Sequence, residues 1–175
     1  MHPPVGAQMA DQVALEEVMS YITQTAGRYG VDVNHAQAIL LAENMGSNGA
    51  IPAILSNDKT SPRGAAGVMQ VMPMTKLSLV SQGHLSEDHA ESSDWQSSVN
   101  AGLAALKEIK NRTKTTSGRV LAAEYNAGPK AGRMMAAGDT DKLPSETLNY
   151  LKKFEFAQSW LQGIPHSSGL KPSRR

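Results

Sequence analysis

Glu43 is an acid in apolar company. In "ILLAENMG", residues 39–46, it follows Ile39, Leu40, Leu41 and Ala42, no cation stands beside it, and Gly46 follows. Ala36, Ile39, Leu40 and Glu43 fall at i, i+3, i+4 and i+7, which is one face of a helix. A glutamate there is either a surface group at a helix C-terminus, where the macrodipole opposes its charge, or a carboxyl held against the buried face. In the second case desolvation lifts its pKa above about 4.3. A carboxyl that keeps its proton near neutral pH can serve as a general acid. The other acid near it in sequence is Asp58, on the turn-rich stretch "GAIPAILSNDK" (residues 49–59).

Other chemistries find little support. The five histidines, His2, His35, His84, His89 and His166, are scattered over loops and tails with no HExxH or comparable ligand spacing, so no metal site is expected. "GSNG" at 46–49 lacks the GxSxG spacing and the preceding strand of a nucleophile elbow. The glycines at 64–67 and 128–132 lack the strand-loop-helix setting of a phosphate loop. No cofactor is implied. There is no cysteine, which removes disulfides and thiolate ligands. Seventeen basic against sixteen acidic residues leave +1, with no field directed at nucleic acid or a membrane. No apolar run approaches the roughly 18 residues of a span. "MHPPVGAQMADQ" shows no basic n-region and no apolar h-region, so no signal peptide is read there.

The elements that must position Glu43 are helices. The 175 residues suit one domain, and the 5% aromatic content, with Ala and Met prominent, favours helices packed through small side chains. Residues 1–10 and 164–175 read as flexible tails around a folded domain of residues 11–163. Asp11 is expected to cap a first helix carrying Leu15, Val18, Ile22 and Ala26 inward and ending at Gly30. Asn34 is expected to cap a second, with Gly46 as its left-handed stop. Residues 47–66 read as loop, "GVMQVM" as a short strand, and Pro73 as the start of a helix over 74–82. Residues 84–93 read as irregular. Asp94 caps a helix to about 111, and short helices follow over 117–128 and from Pro129. A last helix runs from Pro144 to Leu161. The fold class is mainly α with a small β element.

Four segments carry a family resemblance. "SPRGAAGVMQVMP" (61–73) resembles the Ser-Pro-x-Gly-Ala-x-Gly-Leu-Met-Gln-x-Met-Pro segment of the soluble-type lytic transglycosylases. "LAAEYNAGP" (121–129) is similar to their Ala-Tyr-Asn-Ala-Gly-Pro segment, "DWQSSVNAG" (94–102) to their Asp-x5-Asn-x-Gly, and "SETLNYLKK" (145–153) to their Glu-Thr-x-x-Tyr-Val stretch. The order matches over about residues 30–155. The resemblance implies a lysozyme-like domain with a small β-hairpin or loop element beside a cleft. Its substrate would be peptidoglycan glycan strands, cut at the β-1,4 bond between N-acetylmuramic acid and N-acetylglucosamine.

On that resemblance Glu43 is the single catalytic acid, and Tyr125 matches the tyrosine whose hydroxyl reaches it, with core packing as the alternative. Gln70 and Asn126 offer amides to sugar hydroxyls or acetamido groups, Met69 an apolar wall, and Gly67 close backbone approach to the sugar. Asp94, Asn100 and Gly102 read as cap and packing, and Glu146 and Tyr150 as holding the last helix. Two departures stand out. Asn44 follows the glutamate where the family has Ser, and the stretch from Glu43 to Gly67 is longer than usual, which draws attention to Asp58. A goose-type-like hydrolase using Asp58 to position water is the alternative enzyme. A wall-binding or assembly protein without activity is the alternative of another class. With no leader visible, delivery by a phage particle, a lysis system, or a secretion or conjugation machine is expected, unless a leader has been lost.

Overall fold

The computed structural model describes residues 11–163; the two tail segments, 1–10 and 164–175, lie outside the described residues. Eight α-helices and one two-stranded sheet make up the regular structure there, and the fold is mainly α. In chain order the elements are β1 (Gln12–Ala14), α1 (Leu15–Thr25), a 3-10 turn (Ala26–Tyr29), α2 (Val33–Asn44) and β2 (Ile54–Ser56). Then come α3 (Pro73–Ser81), α4 (Glu87–Glu91), α5 (Trp95–Thr113), α6 (Gly118–Ala127), α7 (Pro129–Ala137) and α8 (Ser145–Gln162).

The long helix α5 runs through the core. Val99, Leu103 and Leu106 are fully buried, and Asp94 caps its start by accepting a hydrogen bond from Ser97 N at 2.6 Å. Against it pack α1, through Leu15, Val18 and Ile22, and α3. α2 lies along α8, and Ile39, Leu40 and Leu41 of the one and Leu151, Phe154 and Ala157 of the other are buried. α6 joins α7 and α8 on the same side. Pro73 and Pro129 each occupy the first turn of their helix, where a missing N–H costs nothing.

Several sequence expectations change here. Asp11 does not cap α1: residues 12–14 pair antiparallel with 54–56, and the Asp11 carbonyl accepts from Asn57 N at 2.6 Å. The small sheet is therefore no hairpin, because α1 and α2 lie between its strands. The cap of α2 is Asp32, accepting from His35 N at 3.0 Å, and Asn34 lies inside the helix. Gly46 is not left-handed. α2 ends because Met45 turns extended at φ −72° and ψ 136°. "GVMQVM" forms a turn instead of a strand, closed by paired hydrogen bonds between Ala66 and Val71. Residues 87–91 form a short helix capped by Ser86.

Candidate active site

Glu43 sits in the last turn of α2, and its surroundings come from three other parts of the chain. α8 brings Tyr150 and Lys153, three residues apart and so on one face. α6 brings Tyr125. The loop after β2 brings Lys59, whose ammonium donates to the Glu43 backbone carbonyl. The residue as a whole is half-buried, while its carboxyl is removed from water far enough to lift its pKa to about 7. Burial is the cause. Against it work the Tyr150 hydroxyl, Lys59 and Lys153, each favouring the ionised form. Tyr150 Oη is buried without a hydrogen bond of good geometry, so what joins it to Glu43 is proximity. No carboxylate is among the groups acting on Glu43, and Asp58 is exposed to solvent.

Tyr125 lies near Glu43, and burial together with that carboxylate raises its own pKa. Its hydroxyl, however, donates to the Met69 carbonyl at 2.6 Å and not to the glutamate. Asn44, the departure after the acid, also binds elsewhere. Its amide donates to Leu40 O and Val68 O, both at 2.8 Å, and so fastens the end of α2 to the 67–71 turn.

That turn is a bracket. Gly67 has φ +80°, and a Cβ there would come within 2.4 Å of Ser98 Oγ, so the close approach it permits is to α5 and not to a sugar. Met69 is fully buried, so its side chain offers no wall to a ligand. It lies over Gly102 of α5, where a Cβ would meet Met69 Cε at 2.5 Å. Its N–H donates to Ser98 Oγ at 3.1 Å. Gln70 stands at φ +53° and spends its amide N–H2 on Lys59 O (3.0 Å) and Gly67 O (2.9 Å), so Oε1 is the atom of that amide not used in these bonds. Asn126 is half-buried, and its amide makes no hydrogen bond among the described residues.

Gln70, Tyr125 and Asn126 share the wall of a cavity of about 490 Å³ with Met72, Leu79 and Ile109. An ion network is set in the same wall: Arg112 binds Glu108 through two bonds of 2.9 and 3.3 Å and also pairs with the buried Glu124. As expected from their positions, Asp94 caps α5, Asn100 is buried with bonds to Tyr21 and Tyr29, and Gly102 packs. Glu146 is exposed. Among the described residues no group of three or more His, Asp or Glu side chains could hold a metal ion.

A family model for the transglycosylase SLT domain matches residues 20–146, well over half of the sequence. The chain belongs to that family. Among solved structures it resembles the 70 kDa soluble lytic transglycosylase of Escherichia coli, with a TM-score of 0.60 and 22% identity over 85% of this chain and 26% of that one. It also resembles an inactive mutant of the lytic transglycosylase Slt of Pseudomonas aeruginosa, with a TM-score of 0.50 and 18% identity over 79% and 22%. At these identities the likeness is one of fold, and the chain spans about a quarter of the length of either. Three side chains around the acid of this SLT domain were not expected there from sequence. Tyr150 and Lys153 fall in the final-helix segment that carries the resemblance, with their i, i+3 spacing as the signal. Nothing local in the sequence marks Lys59, whose place is set by the folding of its loop.

Proposed function

We propose that this SLT domain is a peptidoglycan lytic transglycosylase in which Glu43 acts first as acid and then as base. The observation that carries the reading is a desolvated carboxyl with a pKa of about 7 and no second carboxylate acting on it. At neutral pH such a group is partly protonated and can give its proton to the glycosidic oxygen between N-acetylmuramic acid and N-acetylglucosamine. The C1–O bond then breaks and N-acetylglucosamine leaves as the alcohol. The C6 hydroxyl of the same muramic residue attacks C1, helped there by the N-acetyl group, and passes its proton to the Glu43 carboxylate. A 1,6-anhydro ring forms, and the acid is restored. Only one protein carboxyl is needed because the substrate supplies the nucleophile, unlike the usual two-carboxylate scheme.

The exposure of Asp58 and the groups around Glu43 support this reading over hydrolysis. An inverting hydrolase needs a second carboxylate about 6.5–9.5 Å from the acid, and a retaining one needs it about 5–5.5 Å away. Asp58 is solvent-facing and does not act on Glu43. An internal hydroxyl has the advantage of proximity, with effective molarities that can reach ~10⁵ M. In this reading Asn126 and the free oxygen of Gln70 meet the glycan along the cavity, Tyr125 and Met69 hold the frame, and Gly67 closes it onto α5. The domain would work on the wall side, delivered by a phage particle or a secretion or conjugation assembly that opens the wall locally. No helix among the described residues is long and apolar enough to cross a membrane.

Mass spectrometry of digested peptidoglycan tests the reaction, because the anhydro product is one water lighter than the hydrolytic one. Anhydromuramic ends without a matching rise in reducing ends are expected. Reducing muramic ends would assign the hydrolase, and intact strands after binding would assign the wall-binding protein.

A further inference from the structure

We propose that Lys59 is a positioning residue for Glu43: it fixes the last turn of α2 and places a positive charge beside the carboxyl. The inference rests on the acid-base reading of Glu43 given above. Lys59 stands on the stretch between Glu43 and Gly67 that is longer than in the family resemblance, and the loop is anchored at several points. Asn57 is buried. Its amide donates to Ser93 O at 2.7 Å and its oxygen accepts from Val68 N at 3.1 Å. The Lys59 carbonyl accepts two donors at once, Gly67 N and Gln70 Nε2, both at 3.0 Å. Thr60 bridges Ala66. A lysine on a loop held this way has its Cα fixed relative to the 67–71 turn, and Asn44 ties that turn to α2.

From this base the ammonium reaches the Glu43 carbonyl, one of the C-terminal groups that a helix leaves without an internal partner. A cation is favoured there by the helix dipole as well as by the carboxyl. Lys59 is in no ion pair among the described residues, whose salt bridges use Arg112, Arg119 and Lys142. Its charge is therefore not spent on a nearer acid. The groups facing Glu43 are Lys59 from the loop, Tyr150 and Lys153 from α8, and Tyr125 from α6. Burial lowers the pKa of Lys59, Glu43 raises it, and Lys153 lowers it further, so the three charges are mutually felt. The first half of the proposed reaction leaves a carboxylate in a desolvated site, and a fixed ammonium stabilises that anion without solvent rearrangement until the C6 hydroxyl proton restores the acid.

The test is a titration of the Glu43 carboxyl by carbon-13 NMR in the wild type, Lys59→Met, Lys59→Gln and Lys59→Arg, run beside the pH profile of lytic activity. With the charge gone in Lys59→Met, the carboxyl should titrate at higher pH, by on the order of one pH unit, and the alkaline limb of activity should move up with it. Lys59→Gln keeps a hydrogen-bond donor for the Glu43 carbonyl and should move by the same amount, whereas Lys59→Arg should stay near wild type. A wild-type titration in folded Lys59→Met or Lys59→Gln would overturn the proposal, as would an equal displacement in Lys59→Arg. The NMR readout does not depend on turnover. Loss of the transglycosylase reading alone would appear as normal lysis by Glu43→Gln.

Discussion

Glu43 and Glu124 each turn from a helix toward the interior, and the protein surrounds them differently. Glu124, on α6, is 5% exposed and pairs with Arg112, which also grips Glu108. α7 closes over it at Gly132, where a Cβ would lie 2.6 Å from Glu124 Oε1. Glu43 has no ion pair among the described residues. Its two lysines act on it through space, and its pKa rises to about 7. A guanidinium in contact ties a carboxylate into an ion network, which suits a wall. Lysines held off contact leave a carboxyl able to change state, which suits a proton carrier. Burial alone does not distinguish the two, but the partner does.

The largest effect should come from Glu43→Gln. The amide keeps the shape and cannot deliver a proton, so lytic rate should fall by ~10²–10⁴ with folding intact. Stability should move the other way. The folded pKa of Glu43, about 7, lies above its unfolded value of about 4.5. The native state therefore holds the proton more tightly, and wild-type stability declines as pH rises from about 4.5 to 7. A tenfold difference in proton affinity between the two states corresponds to about 1.4 kcal/mol. Denaturant melts should show Glu43→Gln gaining stability over wild type at pH 8 and losing that gain below pH 4. An equal melt at both pH values would remove the desolvated carboxyl from the account.

Arg112→Met examines the other glutamate. It leaves the buried Glu124 without its cation, but Arg112 is itself 42% exposed and solvent screens the pair, so the loss should be about 1–3 kcal/mol, less than a fully buried pair would cost. Combining it with Glu124→Gln should recover part of the loss, because the neutral amide needs no counter-charge. The contrast would fail if Arg112→Met melted within about 0.5 kcal/mol of wild type, as an ordinary surface change does.

Which parts were legible in the sequence follows from how local their causes are. α5, α3 and α7 announce themselves through Asp94, Pro73 and Pro129, each acting within its own first turn. Glu43 was readable because its neighbours at i−3, i−4 and i−7 share its face. The strands were not, since three residues of β1 carry no usable period and their partner lies beyond two helices. α4 is four polar residues and Ala90 with none fully buried, marked only by Ser86 and the acids after it. In the 61–73 motif the residue types were right but their targets were hidden. Gly67 and Met69 need close contact, and only the fold reveals that the contact is α5.

The smallest expected effects belong to the two tyrosines, which separate holding the frame from tuning the acid. Tyr125→Phe loses the 2.6 Å bond to Met69 O and leaves a part-buried carbonyl without that donor. About 1 kcal/mol of stability should go with it, the worth of an ordinary hydrogen bond. The Tyr125 hydroxyl is not among the groups that act on the Glu43 carboxyl, so the alkaline limb of activity should stay in place. Tyr150→Phe should behave in the opposite way. Its hydroxyl is buried with no well-formed hydrogen bond, so stability should hardly change. That hydroxyl favours the ionised Glu43, however, and without it the carboxyl should keep its proton to higher pH. The alkaline limb should then move upward in Tyr150→Phe alone. If Tyr125→Phe moved it and Tyr150→Phe did not, the tyrosine on α6 would be the one reaching the acid, as the family resemblance first implied, and the bond to Met69 would be secondary.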